Sequence, residues 1–343
     1  MPYRMLLPVV LASLLTPTVY ADDLLCGDVN NDASLNVLDV VTMVSAVLGT
    51  NDKPLDCPDI EALCQSSSDD ASAEPTLALP AGVTTLEFQQ DVEGVVETRI
   101  AYLVAPDTID TNRRYPLLFA LHGHGGHATQ WIAQGNLTAL VEEGHFVAVL
   151  PQGLVTDDKM GECCTTSWNL GLGGGEESQA DDVAFVGMIH EQLAVYENLN
   201  MNATYAIGSS NGSAMNNSLA VMTDYFAGIV NMASQLVVGQ TPNTFGPTPQ
   251  RTVVQLHGMD DSVIPYEKDS AMGYEYLSAE NLAQVWADHN GCSSVPRETT
   301  TAEGHKRLDW LDCDGSTRVV HYGVPCADHS PPSGFPIRSK CIG

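Results

Sequence analysis

The stretch Thr204-Tyr205-Ala206-Ile207-Gly208-Ser209-Ser210-Asn211-Gly212-Ser213-Ala214-Met215 carries an apolar run through Gly-x-Ser-x-Gly into a helix-like segment. A hydroxyl nucleophile needs this order. A strained strand-to-helix turn exposes the Ser210 Oγ, and glycines at −2 and +2 remove side chains that would collide. The helix N-terminus then favours negative charge developing nearby. Gly-x-Ser-x-Gly alone also occurs in structural turns, and it is the flanking strand and helix patterns that turn it toward chemistry. Ser209 stands at the wrong position between the glycines.

A serine hydroxyl is a weak nucleophile without a base, and the base needs an acid, in the chain order Ser, Asp or Glu, His. After Ser210, the apolar run Thr252–Leu256 leads into His257-Gly258-Met259-Asp260-Asp261-Ser262-Val263-Ile264-Pro265-Tyr266. Asp260 and Asp261 both lie where an acid could orient an imidazole, and capping of a turn is the alternative role for each. Five histidines lie downstream: His257, His289, His305, His321 and His329. His289 falls in a helical pattern, His305 in a charged turn and His321 inside a strand-like run. His329 follows that run in Gly323-Val324-Pro325-Cys326-Ala327-Asp328-His329-Ser330-Pro331-Pro332, a loop at the sheet edge where a base belongs.

An acyl-transfer site also needs backbone N–H donors facing the developing oxyanion. One is expected at Asn211, directly after the nucleophile. The other is expected in the loop after an early strand, Leu117-Leu118-Phe119-Ala120-Leu121-His122-Gly123-His124-Gly125-Gly126. His122, His124 and His127 also suggest a zinc cluster, but a glycine-rich loop lacking nearby carboxylate or cysteine ligands fits backbone donors better.

The elements that must hold these residues alternate regularly. Candidate strands are Thr98–Val104, Leu117–Leu121, Phe146–Leu150, Thr204–Ile207, Gly228–Asn231, Thr252–Leu256 and Arg318–Tyr322. Helix-like segments lie between them, at Asp182–Glu197, Ser213–Met222 and Ala279–His289. Near-continuous apolar strands alternating with helices indicate a parallel sheet covered on both faces.

Composition narrows the setting. The 343 residues carry 14 basic and 43 acidic side chains, a net charge of −29. Such a surface repels phosphate backbones and anionic lipid, which argues against nucleic-acid and membrane partners. Residues 1–21 read as a signal peptide, with Arg4, an apolar core from Met5 to Leu15 and a small residue at Ala21. No later stretch is long and apolar enough for a transmembrane helix. Nine cysteines suit an oxidising compartment, and their odd number leaves at least one unpaired or paired between molecules. Secretion is the expectation. The mature chain divides into an acidic module at 22–64, a polar linker at 65–80 and a main domain at 81–343.

Taken together, the motifs resemble a known group. From about residue 95 to 335 the chain is similar to the secreted feruloyl esterase and polyhydroxybutyrate depolymerase family of α/β-hydrolases. The match runs through the segments at Pro116–Gly126, Gly208–Met215 and His257–Tyr266, and through Cys163-Cys164, Trp168-Asn169, Asp181–Val186 and Trp286-Ala287 with Asn290-Gly291-Cys292. The resemblance implies an α/β-hydrolase sheet with helices on both faces. Its pattern His-Gly-Thr-x-Asp-x-x-Val-Pro puts the acid on Asp261, and its oxyanion loop puts the second donor on the His124 N–H. By analogy Cys292 pairs with Cys313. The terminal motif departs from type: Gly-x-x-His-x-Trp-Pro-Gly is here Cys326-Ala327-Asp328-His329-Ser330-Pro331-Pro332-Ser333. Cys326 and Cys341 are a further candidate pair, pinning that altered tail.

The implied activity is that of a secreted serine carboxylic-ester hydrolase working through an acyl-enzyme on plant cell-wall hydroxycinnamoyl (feruloyl) esters, with no cofactor in the chemistry. Trp168 is a candidate platform for the hydroxycinnamate ring, with burial in the core as the other role open to a tryptophan. The alternatives are an extracellular polyester depolymerase and a non-catalytic secreted binding protein on the same fold.

The acidic module holds one more chemical pattern. In Gly27–Asp39, Asp28, Asn30, Asp32, Asn36 and Asp39 stand at loop positions 1, 3, 5, 9 and 12, with a backbone carbonyl expected at Ser34. The helical pattern Val37–Leu48 follows and stops at Gly49. The segment resembles half of a dockerin and implies a structural calcium ion. Ala33 replaces the turn glycine and no second repeat follows, which disfavours a cohesin partner.

Overall fold

The computed structural model describes residues 77–133, 136–157, 163–172, 179–301 and 304–329. The signal-peptide reading, the calcium loop Asp28–Asp39 and Cys26, Cys57, Cys64 and Cys341 lie outside these residues.

Ten strands form one sheet. In chain order the strands are β1 (Gly82–Val92), β2 (Val95–Ala105), β3 (Tyr115–Leu121), β4 (Val147–Pro151), β5 (Leu154–Asp157), β6 (Cys163–Ser167), β7 (Leu199–Ser209), β8 (Gly228–Met232), β9 (Thr252–Gly258), β10 (Ser270–Ala271), β11 (Tyr274–Glu275), β12 (Arg297–Thr300), β13 (Lys306–Trp310) and β14 (Val319–Val324). The large sheet has the order β1-β2-β4-β3-β7-β8-β9-β14-β13-β12; β5-β6 and β10-β11 are separate hairpins. From β4 to β14 all neighbours are parallel, and antiparallel strands flank this centre on both sides.

The central strands read as unbroken apolar runs because both of their faces are covered. On β3, Leu117, Phe119 and Leu121 enter one core with Phe185, Met215, Leu219 and Trp286. The alternating Leu118 and Ala120 enter the other core, with Trp131, Leu137, Val141 and Val254. The first face is covered by α3 (Asp182–Leu193), α4 (Asn211–Met222) and α5 (Ala279–His289); the second by the short α1 (Thr129–Ala133) and α2 (Asn136–Glu142). Side-chain caps start α3, where Asp181 accepts from Ala184 N, and α5, where Ser278 accepts from Asn281 N. Helix α3 ends at Leu193, short of the expected Glu197, because Tyr196 turns away to bridge Leu77.

That bridge also moves a boundary. Leu77 pairs with Tyr196 and Leu79 is buried in the core, so the main domain begins inside the stretch read as linker. Cys292 and Cys313 form a disulfide across the end of α5, and Cys326 is also disulfide-bonded. Among the described residues no helix is long and apolar enough to cross a membrane.

Candidate active site

Ser210 sits at the turn between β7 and α4 with φ 52° and ψ −120°, a strained conformation for a residue with a side chain. The two glycines are steric necessities. A Cβ on Gly208 would run into the Gly212 carbonyl, and one on Gly212 into the carbonyls of Leu121 and His122. The elbow is thus wedged against the end of β3, and Ser210 N–H donates to Met232 O at 2.8 Å.

His329 Nε2 lies 2.8 Å from Ser210 Oγ, and His329 Nδ1 lies 2.8 Å from Asp261 Oδ2. Serine, imidazole and carboxylate from three separate loops therefore form one hydrogen-bonded relay. The other Asp261 oxygen accepts from Val263 N and Ile264 N, both at 2.9 Å. Burial pushes the Asp261 carboxyl up, but hydrogen bonds and charge from His257 and His329 more than offset it and hold the acid well below the usual carboxylate range. Asp260, the neighbouring candidate, is exposed and contributes its backbone N–H to Ala327 O.

Acid and base loops are stitched directly to each other. Asp260 N–H donates to Ala327 O, and Met259 N–H to Val324 O. Asp328 Oδ1 accepts from Ser262 N, Ser262 Oγ and His329 N at 2.9, 2.7 and 2.8 Å. Gly258 makes the approach possible, since a Cβ there would stand 2.5 Å from Ala327 O and 2.7 Å from Asp328 O.

His124 and Asn211, the expected oxyanion donors, line one cavity with Ser210 and His329. His122, in the same loop, does different work. It is buried, with Nδ1 donating to Gly123 O and Nε2 accepting from Gly153 N at 2.9 Å. Burial pushes it down to about 4, so it stays neutral and braces the loop. Among the described residues no cluster of histidine, cysteine, aspartate and glutamate has a metal-binding arrangement.

Trp168 is not on the cavity surface. It is fully buried, its ring against His122 and its indole N–H donating to His122 O at 2.8 Å. The Asn211 side chain holds the Trp168 backbone at both ends, accepting from its N–H at 2.7 Å and donating to its carbonyl at 3.3 Å. Next to it, Asn169 N–H donates to buried Asp182, which pairs with Arg99. The tryptophan therefore fastens the loop after β3 to the elbow, and its burial keeps it off the cavity surface.

The aromatic surface comes from residues that the sequence reading passed over. A cavity of about 260 Å³ opens beside Ser210, walled by Leu170, Val263, Ile264, Met272, Tyr274 and Tyr276. Its outer wall is the hairpin β10–β11, whose two-residue tip, Met272 and Gly273, has φ 50° and 79°. Positive φ at both central positions is the geometry of a tight hairpin turn. The alternation in Tyr274-Glu275-Tyr276 was the available signal, since residues two apart on a strand share a face.

No family model matches the chain. Among curated proteins, the "Probable feruloyl esterase C" of Aspergillus niger is 24% identical over 227 residues, covering 64% of this chain and 73% of that protein. Feruloyl esterase B of Piromyces equi is 24% identical over 231 residues, covering 62% of this chain but only 39% of its own length. Among solved structures, an acetyl xylan esterase from Aspergillus awamori superposes with a TM-score of 0.51 at 14% identity, over 73% of this chain and 95% of that one. The chain has the α/β-hydrolase fold, and the curated proteins it is similar to are named as feruloyl esterases.

Proposed function

We propose that this chain is an exported esterase that cleaves hydroxycinnamoyl (feruloyl) esters of plant cell-wall polysaccharide through an acyl-enzyme. The observation that carries the proposal is the Ser210–His329–Asp261 relay opening into an apolar, tyrosine-walled cavity. Such a cavity suits a planar aromatic acyl group more than a charged one. The names of the similar curated proteins support the same substrate class. Export rests on the signal-peptide pattern at residues 1–21 and fits the Cys292–Cys313 disulfide.

In this reading Ser210 Oγ attacks the ester carbonyl as His329 Nε2 takes its proton. The backbone N–H groups of His124 and Asn211 receive the oxyanion. His329 returns the proton to the departing alcohol, and Asp261 stabilises the transient imidazolium. Water, activated by the same imidazole, then releases the acid and frees the serine. The proton inventory closes on Ser210, His329 and water, so the chemistry calls for no cofactor. Calcium is assigned a structural place in the loop Asp28–Asp39 only.

The test compares wild type with Ser210→Ala on methyl ferulate, polyhydroxybutyrate film and a peptide substrate. Release of ferulate by wild type alone is expected. Equal rates from both proteins would remove the nucleophile assignment, and preferential film erosion would transfer the substrate to polyesters.

A further inference from the structure

We propose that His257 is a positioning residue for the acid: it shares Asp261 Oδ2 with His329 and thereby sets how strongly the carboxylate pulls on the base. The inference rests on the catalytic reading of Ser210, His329 and Asp261.

The His257 ring is wholly buried at the end of β9. Its Nε2 lies 3.1 Å from Asp261 Oδ2 and 2.9 Å from Ile264 O. The other ring nitrogen, Nδ1, lies 3.3 Å from Gln255 Nε2, which also donates to Ser234 O at 2.9 Å. A backbone carbonyl can only accept, so the Gln255 atom facing Ser234 O is its NH₂ group. That group then donates to His257 Nδ1, which leaves the ring proton on Nε2, pointing at the acid. His257 therefore presents a fixed N–H donor.

Four donors converge on the one carboxylate: Val263 N and Ile264 N on Oδ1, His257 and His329 on Oδ2. Two consequences follow. The carboxylate plane cannot rotate away from His329, and its charge is divided between two imidazoles rather than spent on one. Among the described residues, the titratable groups facing His257 besides Asp261 and His329 are Tyr266, at 5.9 Å between ring centroids, and His321, bonded to the Tyr266 hydroxyl at 2.6 Å. Burial keeps His321 neutral, pushed down to about 3, so it brings no competing charge at working pH. The mechanism of ester cleavage by itself has no use for a second buried imidazole on the acid.

Full-length His257→Leu and His257→Gln are compared on methyl ferulate, with kcat, KM and the pH profile of kcat/KM, alongside Ser210→Ala. A hydrogen bond to a buried charged group is worth enough that losing it lowers kcat about tenfold to a hundredfold in His257→Leu, with KM unchanged. The acid limb of the profile moves to higher pH, because Asp261 with one donor fewer holds the His329 proton more tightly. Glutamine, which keeps an N–H where Nε2 was, restores most of kcat and returns the limb toward wild type. A folded His257→Leu enzyme with wild-type kcat and limb overturns the proposal, as does His257→Gln equally impaired. If His257→Leu does not fold, Gln255→Leu decides: it leaves the ring in place but releases its tautomer, and a wild-type profile there is the overturning result. Residual activity in Ser210→Ala would instead remove the catalytic reading, so the two failures are distinct.

Discussion

Asp328→Ala tests whether the base is held by the residue before it. Asp328 Oδ1 accepts three hydrogen bonds, two from Ser262 on the acid loop and one from the His329 backbone. The residue is half-buried, so water competes for each bond. Discounting for that exposure, each contributes about 0.5–1 kcal/mol, or about 2 kcal/mol for the set. If that tether keeps His329 within 2.8 Å of Ser210, its loss lowers the aligned population by about thirtyfold, since 1.4 kcal/mol is a factor of ten. The expected result is a kcat reduced about thirtyfold on methyl ferulate. KM should stay near wild type, because Asp328 does not line the cavity.

Two companion variants sharpen the test. Asp328→Asn keeps an acceptor and should lose only a few-fold, because a neutral acceptor is weaker than a charged one. Ser262→Ala removes one of the three bonds and should fall between wild type and Asp328→Ala. Initial-rate kinetics with thermal melts on the same samples read both effects. A kcat within twofold of wild type in folded Asp328→Ala would refute the reasoning and leave the backbone bonds to Ala327 and Val324 as sufficient.

Trp168→Phe should lower stability by about 1–3 kcal/mol by orphaning the buried His122 carbonyl, a drop in melting temperature of several degrees, with KM for methyl ferulate unchanged; a raised KM with an unchanged melt would restore it as a substrate platform. Gly258→Ala should cost about 1–3 kcal/mol and more than tenfold in kcat, because the new Cβ forces the acid and base loops apart; wild-type activity would mean that the loops do not need their close approach. For pH dependence, folded His321 stays neutral to about 3 while the unfolded chain takes its proton near 6.5, so its share of stability is present above that pH and declines as pH falls toward 3. By pH 4.5 the loss is about 3 kcal/mol, and urea midpoints of wild type should fall relative to His321→Gln between pH 7 and 4.5, whereas parallel curves would contradict it.

Burial on both faces explains which strands could be read. Leu117–Leu121 and Thr252–Leu256 are apolar at nearly every position because each face meets a core, and those segments became β3 and β9. Strand β12, Arg297–Thr300, is exposed along its whole length and carries no apolar pattern at all. Strand β1 buries only Leu86, Phe88 and Gln90, alternating with exposed Thr, Glu and Gln, so its signal is half as dense. The site divides similarly. Ser210 announces itself because the elbow is local, a matter of glycines two residues away. The choice of Asp261 over Asp260 depends on which carboxylate faces a histidine 68 residues further on, and residue spacing alone holds no such information. Trp168 was ambiguous for the same reason: its neighbours, His122 and Asn211, are more than forty residues distant in the chain.

The altered C-terminal motif shows where the position of the base is determined. Pro331-Pro332-Ser333 stands where the resembling family has Trp-Pro-Gly, one residue beyond the histidine. Among the described residues, the hydrogen bonds that seat His329 originate at or before it in the chain or on the acid loop: Asp328 to Ser262, Ala327 O to Asp260, Val324 O to Met259, and Nδ1 to Asp261. The close packing permitted by Gly258 works from the same side. These anchors lie on the N-terminal side of the histidine, so residues 258–328 are enough to hold His329 against Asp261 and Ser210. Variation at Gly258, Ser262 or Asp328 should accordingly alter whether any ester is cleaved, before it alters which ester binds.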